Sequence, residues 1–293
     1  MIRTDLANEA LTLYSEDNPT SPDIDGITTQ KNDHKGVRVT TVNVQTDSGA
    51  KKIGKPIGRY VTIELDKLLR KDEDSFKQTV YTTADILRRM LYIHRDGPIL
   101  VVGLGNRNIT PDAIGPECCD MIIATRHLIS TYPDRFGDMT SVVSIAPGVL
   151  GMTGMESGEL LSGIADKISP QAIIVIDALA SRSISRLCKT IQITDTGIIP
   201  GSGVGNHRFA INKETLGVPC IAVGIPTVID AATLASDICG DQEAECDPQY
   251  EKLFVTLKDI DTTVKDCAKA TAYAINLALQ PTIDIDDINF FLE

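Results

Sequence analysis

The 293-residue sequence predicts an open, doubly wound, mostly parallel α/β sheet with flanking helices and a small β-rich region near its N-terminus. Three observations carry this prediction. Four short runs rich in Ile, Val, Leu and Ala, at 98–103, 141–145, 172–176 and 220–224, have the texture of strands buried on both faces. Helix-like segments near 116–130, 157–167 and 181–187 lie between them, as right-handed parallel crossovers require. Upstream, Val37-Arg38-Val39 and Val42-Asn43-Val44 alternate with the period of half-buried strands.

Taken in order, residues 1–35 are polar and turn-rich, with Asn18-Pro19, Ser21-Pro22-Asp23, Asp25-Gly26 and Asn32-Asp33, and they predict an irregular arm. Residues 36–95 form the small β-rich region. It holds the two alternating strands, a Gly-rich connection at 49–58, a strand at 60–65 and a helix over 74–92. In that helix Phe76, Val80, Ala84, Leu87 and Leu91 recur at three- and four-residue spacing. Residues 96–293 make the α/β core. It closes on a helix at 258–279, where Thr256 and Asp259 read as a capping-box pair and Val264, Ala268, Thr271, Ile275 and Leu279 give an apolar stripe. No internal repeat is present.

Composition narrows the function. The chain has 28 Lys+Arg against 40 Asp+Glu, a net charge of −12, the opposite of the basic footprint of a nucleic-acid binder. With 42% hydrophobic residues it is no disordered acidic tail, and with no Trp it lacks the aromatic wealth of a base-stacking platform. Its longest apolar stretches, 98–105 and 172–180, fall short of the roughly 20 residues of a membrane span, and the N-terminus has no apolar signal core. The seven Cys form no Cys-x-x-Cys pair, so reduced cytoplasmic thiols are expected. The four His form no His-x-x-x-His pair, and no metal or other cofactor is called for.

Ligands of open α/β sheets bind beyond the carboxyl ends of the strands, so residues following each apolar run matter most. After the first comes Gly103-Leu104-Gly105-Asn106-Arg107-Asn108. The third glycine of a dinucleotide fingerprint is missing at 108, so these glycines signal a tight turn. Asp112 follows in Thr110-Pro111-Asp112, where it either complements a helix N-terminus or lies in an irregular functional loop. Asp177 closes the run 172–176, either as a cap or as a functional acid. If their strands are neighbours, both carboxylates face one crevice. Like charges there push the two pKa values apart, giving a general acid and a base toward water; the same pair can also bind a metal. The loop around Gly148 and Gly151 and the loop containing Gly201, Ser202 and Gly203 are candidates for a substrate groove, since exposed backbone amides pair with an extended peptide. Cys118 and Cys119 read as packing residues, and no serine triad is signalled.

Ordered segments then carry a family likeness. They include Arg3-Thr4-Asp5-Leu6-Ala7, the run from Ile53 to Thr62, Val101-Val102-Gly103-Leu104-Gly105-Asn106, Thr110-Pro111-Asp112-Ala113-Ile114-Gly115-Pro116 and Thr125-Arg126-His127-Leu128. Further along come the run from Pro147 to Gly154, Ile176-Asp177-Ala178-Leu179-Ala180-Ser181-Arg182-Ser183, the run from Pro200 to Asn206, and Gly224-Ile225-Pro226-Thr227-Val228-Ile229-Asp230-Ala231. Over nearly its whole length the chain resembles the germination proteases of spore-forming bacteria. The resemblance implies an atypical aspartic endopeptidase of the spore core. Its substrates would be small acid-soluble spore proteins; the DNA they coat would not be a direct partner. It also implies a tetrameric zymogen that processes itself, here between Asp5 and Leu6, with Asp112 and Asp177 as the active acids. Two features depart from the family: only five residues precede Leu6, and 236–251 stands where a longer insertion is usual. A more distant resemblance, to hydrogenase-maturation endopeptidases, rests on Asp112-Ala113-Ile114-Gly115 and Asp177-Ala178. In those enzymes a His joins the two acids on nickel, and His207 is the candidate here. Two alternatives stay open: a metal-dependent maturation-type peptidase, and a non-enzymatic anion- or nucleotide-binding module.

Overall fold

A computed structural model describes residues 4–18, 24–34, 36–66, 68, 72–91, 93, 97–201, 209–239 and 253–293. The N-terminal elements are α1 (Ala7–Asp17), β1 (Ile27–His34), β2 (Val37–Val44), α2 (Asp47–Ile53), β3 (Gly58–Glu64) and α3 (Glu73–Met90). Next come β4 (Ile99–Gly103), α4 (Ile114–Cys119), α5 (Arg126–Thr131), α6 (Pro133–Phe136), β5 (Val142–Ile145), α7 (Leu150–Thr153) and α8 (Ser157–Ile168). The chain continues through β6 (Ala172–Ser181), β7 (Thr190–Thr194), α9 (Lys213–Leu216), β8 (Cys220–Asp230) and α10 (Ala231–Cys239). It ends with β9 (Phe254–Val255), α11 (Ile260–Leu279) and α12 (Ile285–Leu292).

These strands form one nine-stranded sheet in the order β1-β2-β3-β7-β8-β6-β4-β5, with β9 on the end of β8. Strands β5, β4, β6 and β8 are parallel neighbours and make the core; β1, β2, β3 and β7 continue the sheet with antiparallel pairs. The fold is thus the expected α/β sheet, and the β-rich residues 37–64 belong to the same sheet through β3 and β7.

The apolar runs explain the layering. In β4, Ile99 and Val101 point to one face, packed by α3, α4 and α11, while Leu100 and Val102 point to the other, where Leu161 of α8 covers them. In β6, Ile173, Ile174, Val175 and Ile176 are all fully buried, and each contributes about 1.5–3 kcal/mol by leaving water. A third, smaller core lies under α1 and α2, around Val42, Val44, Ile53 and Tyr60. Helix starts follow local chemistry: Asp72 accepts from the Ser75 N–H at 2.8 Å before α3, and Glu156 and Glu159 form a capping box before α8.

Several expectations are corrected. Among the described residues of the first 35, the expected irregular arm is replaced by α1, whose Ala7 and Ala10 pack into the third core, and by β1, a polar strand held by the backbone of β2. The segment 116–130 is two helices, α4 and α5, separated by a turn. The helix expected at 181–187 is instead the end of β6 followed by a single 3-10 turn at Ile184–Arg186. Strand β7 was unforeseen. The Thr256–Asp259 capping box does not form, because the Thr256 hydroxyl donates to the Thr227 carbonyl at 2.7 Å.

Candidate functional site

The site lies at the carboxyl edge of the parallel strands. Strand β4 ends at Gly103, and α4 crosses so close behind it that a Cβ on Gly103 would sit 2.1 Å from the Gly115 carbonyl oxygen. Gly105 has φ +112, and a Cβ there would lie 2.0 Å from the Asp112 carbonyl oxygen. The glycines therefore serve chain packing that brings Asp112 against the strand end. Asp112 sits in a 3-10 turn, Thr110–Asp112, and its Oδ2 accepts from the Asn106 N–H at 2.7 Å.

Asp177 stands one strand over. The apolar run continues past it, so Asp177 is an interior residue of β6, opposite Gly224 of β8. It is 6% exposed, and its Oδ1 accepts from the Ala178 N–H at 2.9 Å. Asp112 and Asp177 line the same cleft, of about 450 Å³, together with Gly105, Val149, Leu179 and Gly201. The expectation that neighbouring strands bring both acids to one crevice thus describes this geometry.

The N-terminal segment enters this cleft as well, with Asp5 among its lining residues. Asp5 pairs with Ala180 of β6: its N–H donates to the Ala180 carbonyl at 2.9 Å, and its Oδ2 accepts from the Ala180 N–H at 2.9 Å. Gln192 of β7 then brackets Leu6. Its Nε2 donates to the Asp5 carbonyl at 3.0 Å, and its Oε1 accepts from the Ala7 N–H at 2.7 Å. Leu6 and Ala7 are fully buried. Buried Glu9 accepts from the backbone N–H groups of Arg182 at 2.7 Å and Ser183 at 3.1 Å, and from the Thr4 hydroxyl. Lys55 donates to the Thr4 carbonyl at 3.0 Å; burial pulls its ammonium below the ordinary range, against the opposing pull of Asp5 and Glu9.

Among the groove candidates, Gly201 lines the cleft, whereas Gly148 and Gly151 flank its Val149 without lining it. Ser202, Gly203 and His207 lie outside the described residues, as do residues 240–251 of the shortened stretch. Sequence reasoning missed Ser157, Thr227 and Thr256, which line the cleft, and Gln192, which holds the N-terminal segment. For Gln192 the signal was available: Thr190-Ile191-Gln192-Ile193-Thr194 alternates strictly, with Ile191 and Ile193 in the main core and Gln192 facing the other way. Cys118 and Cys119 are unsuited as nucleophiles, because burial pushes both thiols up. Among the described residues no group of three His, Cys, Asp or Glu side chains is arranged to hold a metal ion. No described helix is long and apolar enough to cross a membrane.

Comparison with known proteins follows the same direction. A family model described as germination protease matches residues 6–240. A germination protease of Caldanaerobacter subterraneus subsp. tengcongensis is 41% identical, over 99% of this chain and 98% of its own length. One from Clostridium perfringens is 41% identical over 99% of each chain, and one from Priestia megaterium is 44% identical over 80% of this chain and 65% of its own. A solved [NiFe] hydrogenase maturation protease, HycI from Thermococcus kodakarensis KOD1, aligns with 65% of this chain and 98% of its own. Its TM-score of 0.36 and identity of 16% carry no further conclusion.

Proposed function

The chain belongs to the germination protease family, and on that premise we propose that it is a self-processing endopeptidase of spore germination in which Asp112 and Asp177 activate water. The observation that supports this reading is that Asp112, in the turn beyond β4, and Asp177, within the neighbouring β6, line one cleft, and that Asp5, the residue before the expected processing bond, lines it too. The pair shares one proton. The ionised carboxylate takes a proton from water as the oxygen adds to the scissile carbonyl, and the protonated carboxyl hydrogen-bonds that carbonyl. As the C–N bond breaks, a proton passes to the leaving amine, and the acid on the other fragment takes the hydroxyl. Small acid-soluble spore proteins are the substrates, the spore core is the compartment, and a homotetramer is the assembly. The loops carrying Gly148, Gly151 and Gly201 to Gly203 hold the extended substrate.

The zymogen reading has a physical basis in the seated N-terminal segment. Its backbone occupies the Ala180 edge of β6, which an incoming extended peptide would use, so cleavage after Asp5 loosens a competitor.

Asparagine substitution tests the pair. An Asn side chain still offers an oxygen to the Asn106 or Ala178 N–H, so each variant keeps its fold while losing the titrating carboxyl. Asp112→Asn and Asp177→Asn are each expected to slow cleavage of a purified small acid-soluble spore protein by at least about a hundredfold. Wild-type rates in either variant reject the dyad.

A further inference from the structure

One hydroxyl in the cleft is left unpaired by the described residues. Strands β6 and β8 run in parallel register from Ile173 opposite Cys220 to Leu179 opposite Pro226, and then Ala180 faces Val228. Thr227 is the extra residue at this step. Bulges of this kind re-aim a side chain and recur beside active sites. Thr227 is fully buried and lines the cleft with Asp112 and Asp177. Its carbonyl is fixed by the Thr256 hydroxyl at 2.7 Å, yet its own Oγ1 has no hydrogen-bond partner among the described residues.

That orphan oxygen is informative by comparison. Three hydroxyl side chains line the cleft among the described residues. Ser157 donates to the Gly148 carbonyl at 3.3 Å, and Thr256 donates to Thr227; only Thr227 is uncommitted. The other described side-chain atoms left buried and unpaired belong to Asn8, Thr83, Arg182 and Thr190, none of which lines the cleft. Buried hydroxyls are normally paired, so one held unpaired at a bulge beside two carboxylates calls for a ligand.

We propose that Thr227 Oγ1 donates a hydrogen bond to the scissile carbonyl oxygen as water adds to it. The inference rests on the reading that Asp112 and Asp177 carry the chemistry. As water adds and its proton passes to the ionised carboxylate, the single negative charge of the pair moves onto that oxygen. A neutral O–H donor stabilises the new charge without titrating or pairing off the carboxylates. Because the hydroxyl has no internal bond to break, its hydrogen turns about the Cβ–Oγ1 bond toward the substrate at little cost, and the stiff β-branched side chain and fixed backbone keep the oxygen in position.

The test uses Thr227→Val, which keeps the shape and removes the donor, and Thr227→Ser, which keeps the donor. Full-length protein is assayed on a purified small acid-soluble spore protein beside Asp112→Asn and Asp177→Asn. The valine variant is expected to lose about 10²–10³ in kcat with KM nearly unchanged and Tm not lowered. The serine variant is expected within about tenfold of wild type. A valine variant with wild-type kcat, or a loss of kcat that serine does not restore, overturns the proposal. If the asparagine variants stay active, the dyad fails instead; if they are dead while Thr227→Val is fully active, only the role of Thr227 falls.

Discussion

Gln192 is where the seating of the N-terminal segment can be weakened with one substitution. Replacement by Met keeps the length of the side chain and removes both amide groups. The Asp5 carbonyl then loses its donor at 3.0 Å and the Ala7 N–H its acceptor at 2.7 Å. Water has little access for repair, because Gln192 is 5% exposed and Leu6 and Ala7 are fully buried. A buried polar group left without a partner costs about 1–3 kcal/mol, so the two together weaken the seating by about 2–6 kcal/mol. The lower figure is already a factor of about 30 in the equilibrium between seated and released segment. Native-state hydrogen exchange reads this at the Ala7 amide and at Ala10, whose N–H donates to the Leu6 carbonyl at 3.1 Å. The amides of Ile173 to Ile176 in β6, buried in the sheet and away from the segment, serve as the internal reference for global opening. Protection at Ala7 and Ala10 should fall at least about 30-fold in Gln192→Met while the β6 amides change little. If protection at both positions stays within about threefold of wild type, the bracket around Leu6 contributes nothing and the reasoning is wrong.

Two further outcomes follow from local chemistry. Burial holds the Tyr60 phenol up at about 12, against its ordinary 10.0. The folded state therefore retains a proton that the unfolded chain releases. This contribution is complete below pH 10 and is lost as pH rises toward 12, a change of about 3 kcal/mol for two pKa units. Tyr60→Phe should lack that slope in denaturant titrations between pH 10 and 12, with a near-constant offset of about 1 kcal/mol for the lost bond to the Pro56 carbonyl at 2.8 Å; parallel stability curves for the two proteins contradict it. Gly105→Ala should destabilise by at least about 2 kcal/mol and slow cleavage about a hundredfold, because the new Cβ collides with the Asp112 carbonyl oxygen at a φ of +112. Gly163→Ala in α8, where a Cβ meets nothing within 4 Å, should instead raise Tm slightly. Equal melting temperatures for the two alanine variants would show that close approach at Gly105 is unimportant.

The two acids of the site were legible because each follows an apolar run, and such a run is a local signal that needs no knowledge of the fold. The extent of β6 was less legible: Ala178, Leu179 and Ala180 extend the strand through their pairing with β8, whereas Ser181 onward reads as a helix by composition. Strand β1 was invisible for a different reason. Its side chains are exposed and polar along almost its whole length, so only its backbone pairing with Val37–Val44 makes it a strand. Helix α1 was hidden because its apolar anchors are few, Ala7 and Ala10 with half-buried Leu11 and Tyr14, and because its buried Glu9 is held by the distant backbone of Arg182 and Ser183.

The sequence by itself determined the α/β class and the parallel core strands, and it singled out Asp112 and Asp177 downstream of two of their apolar runs, although Asp177 proved to lie inside β6 and not at its end. Hydrophobic period and turn chemistry are properties of neighbouring residues, and these features need nothing more. Only the tertiary structure decided the strand order, which lays β7 between β3 and β8 and so brings Gln192 to residues 5–7, more than 180 positions away. It alone decided the register step that leaves Thr227 unopposed and its hydroxyl unpaired beside two carboxylates. Pairing between distant strands is set by how all their faces bury together, and no window of sequence contains that sum.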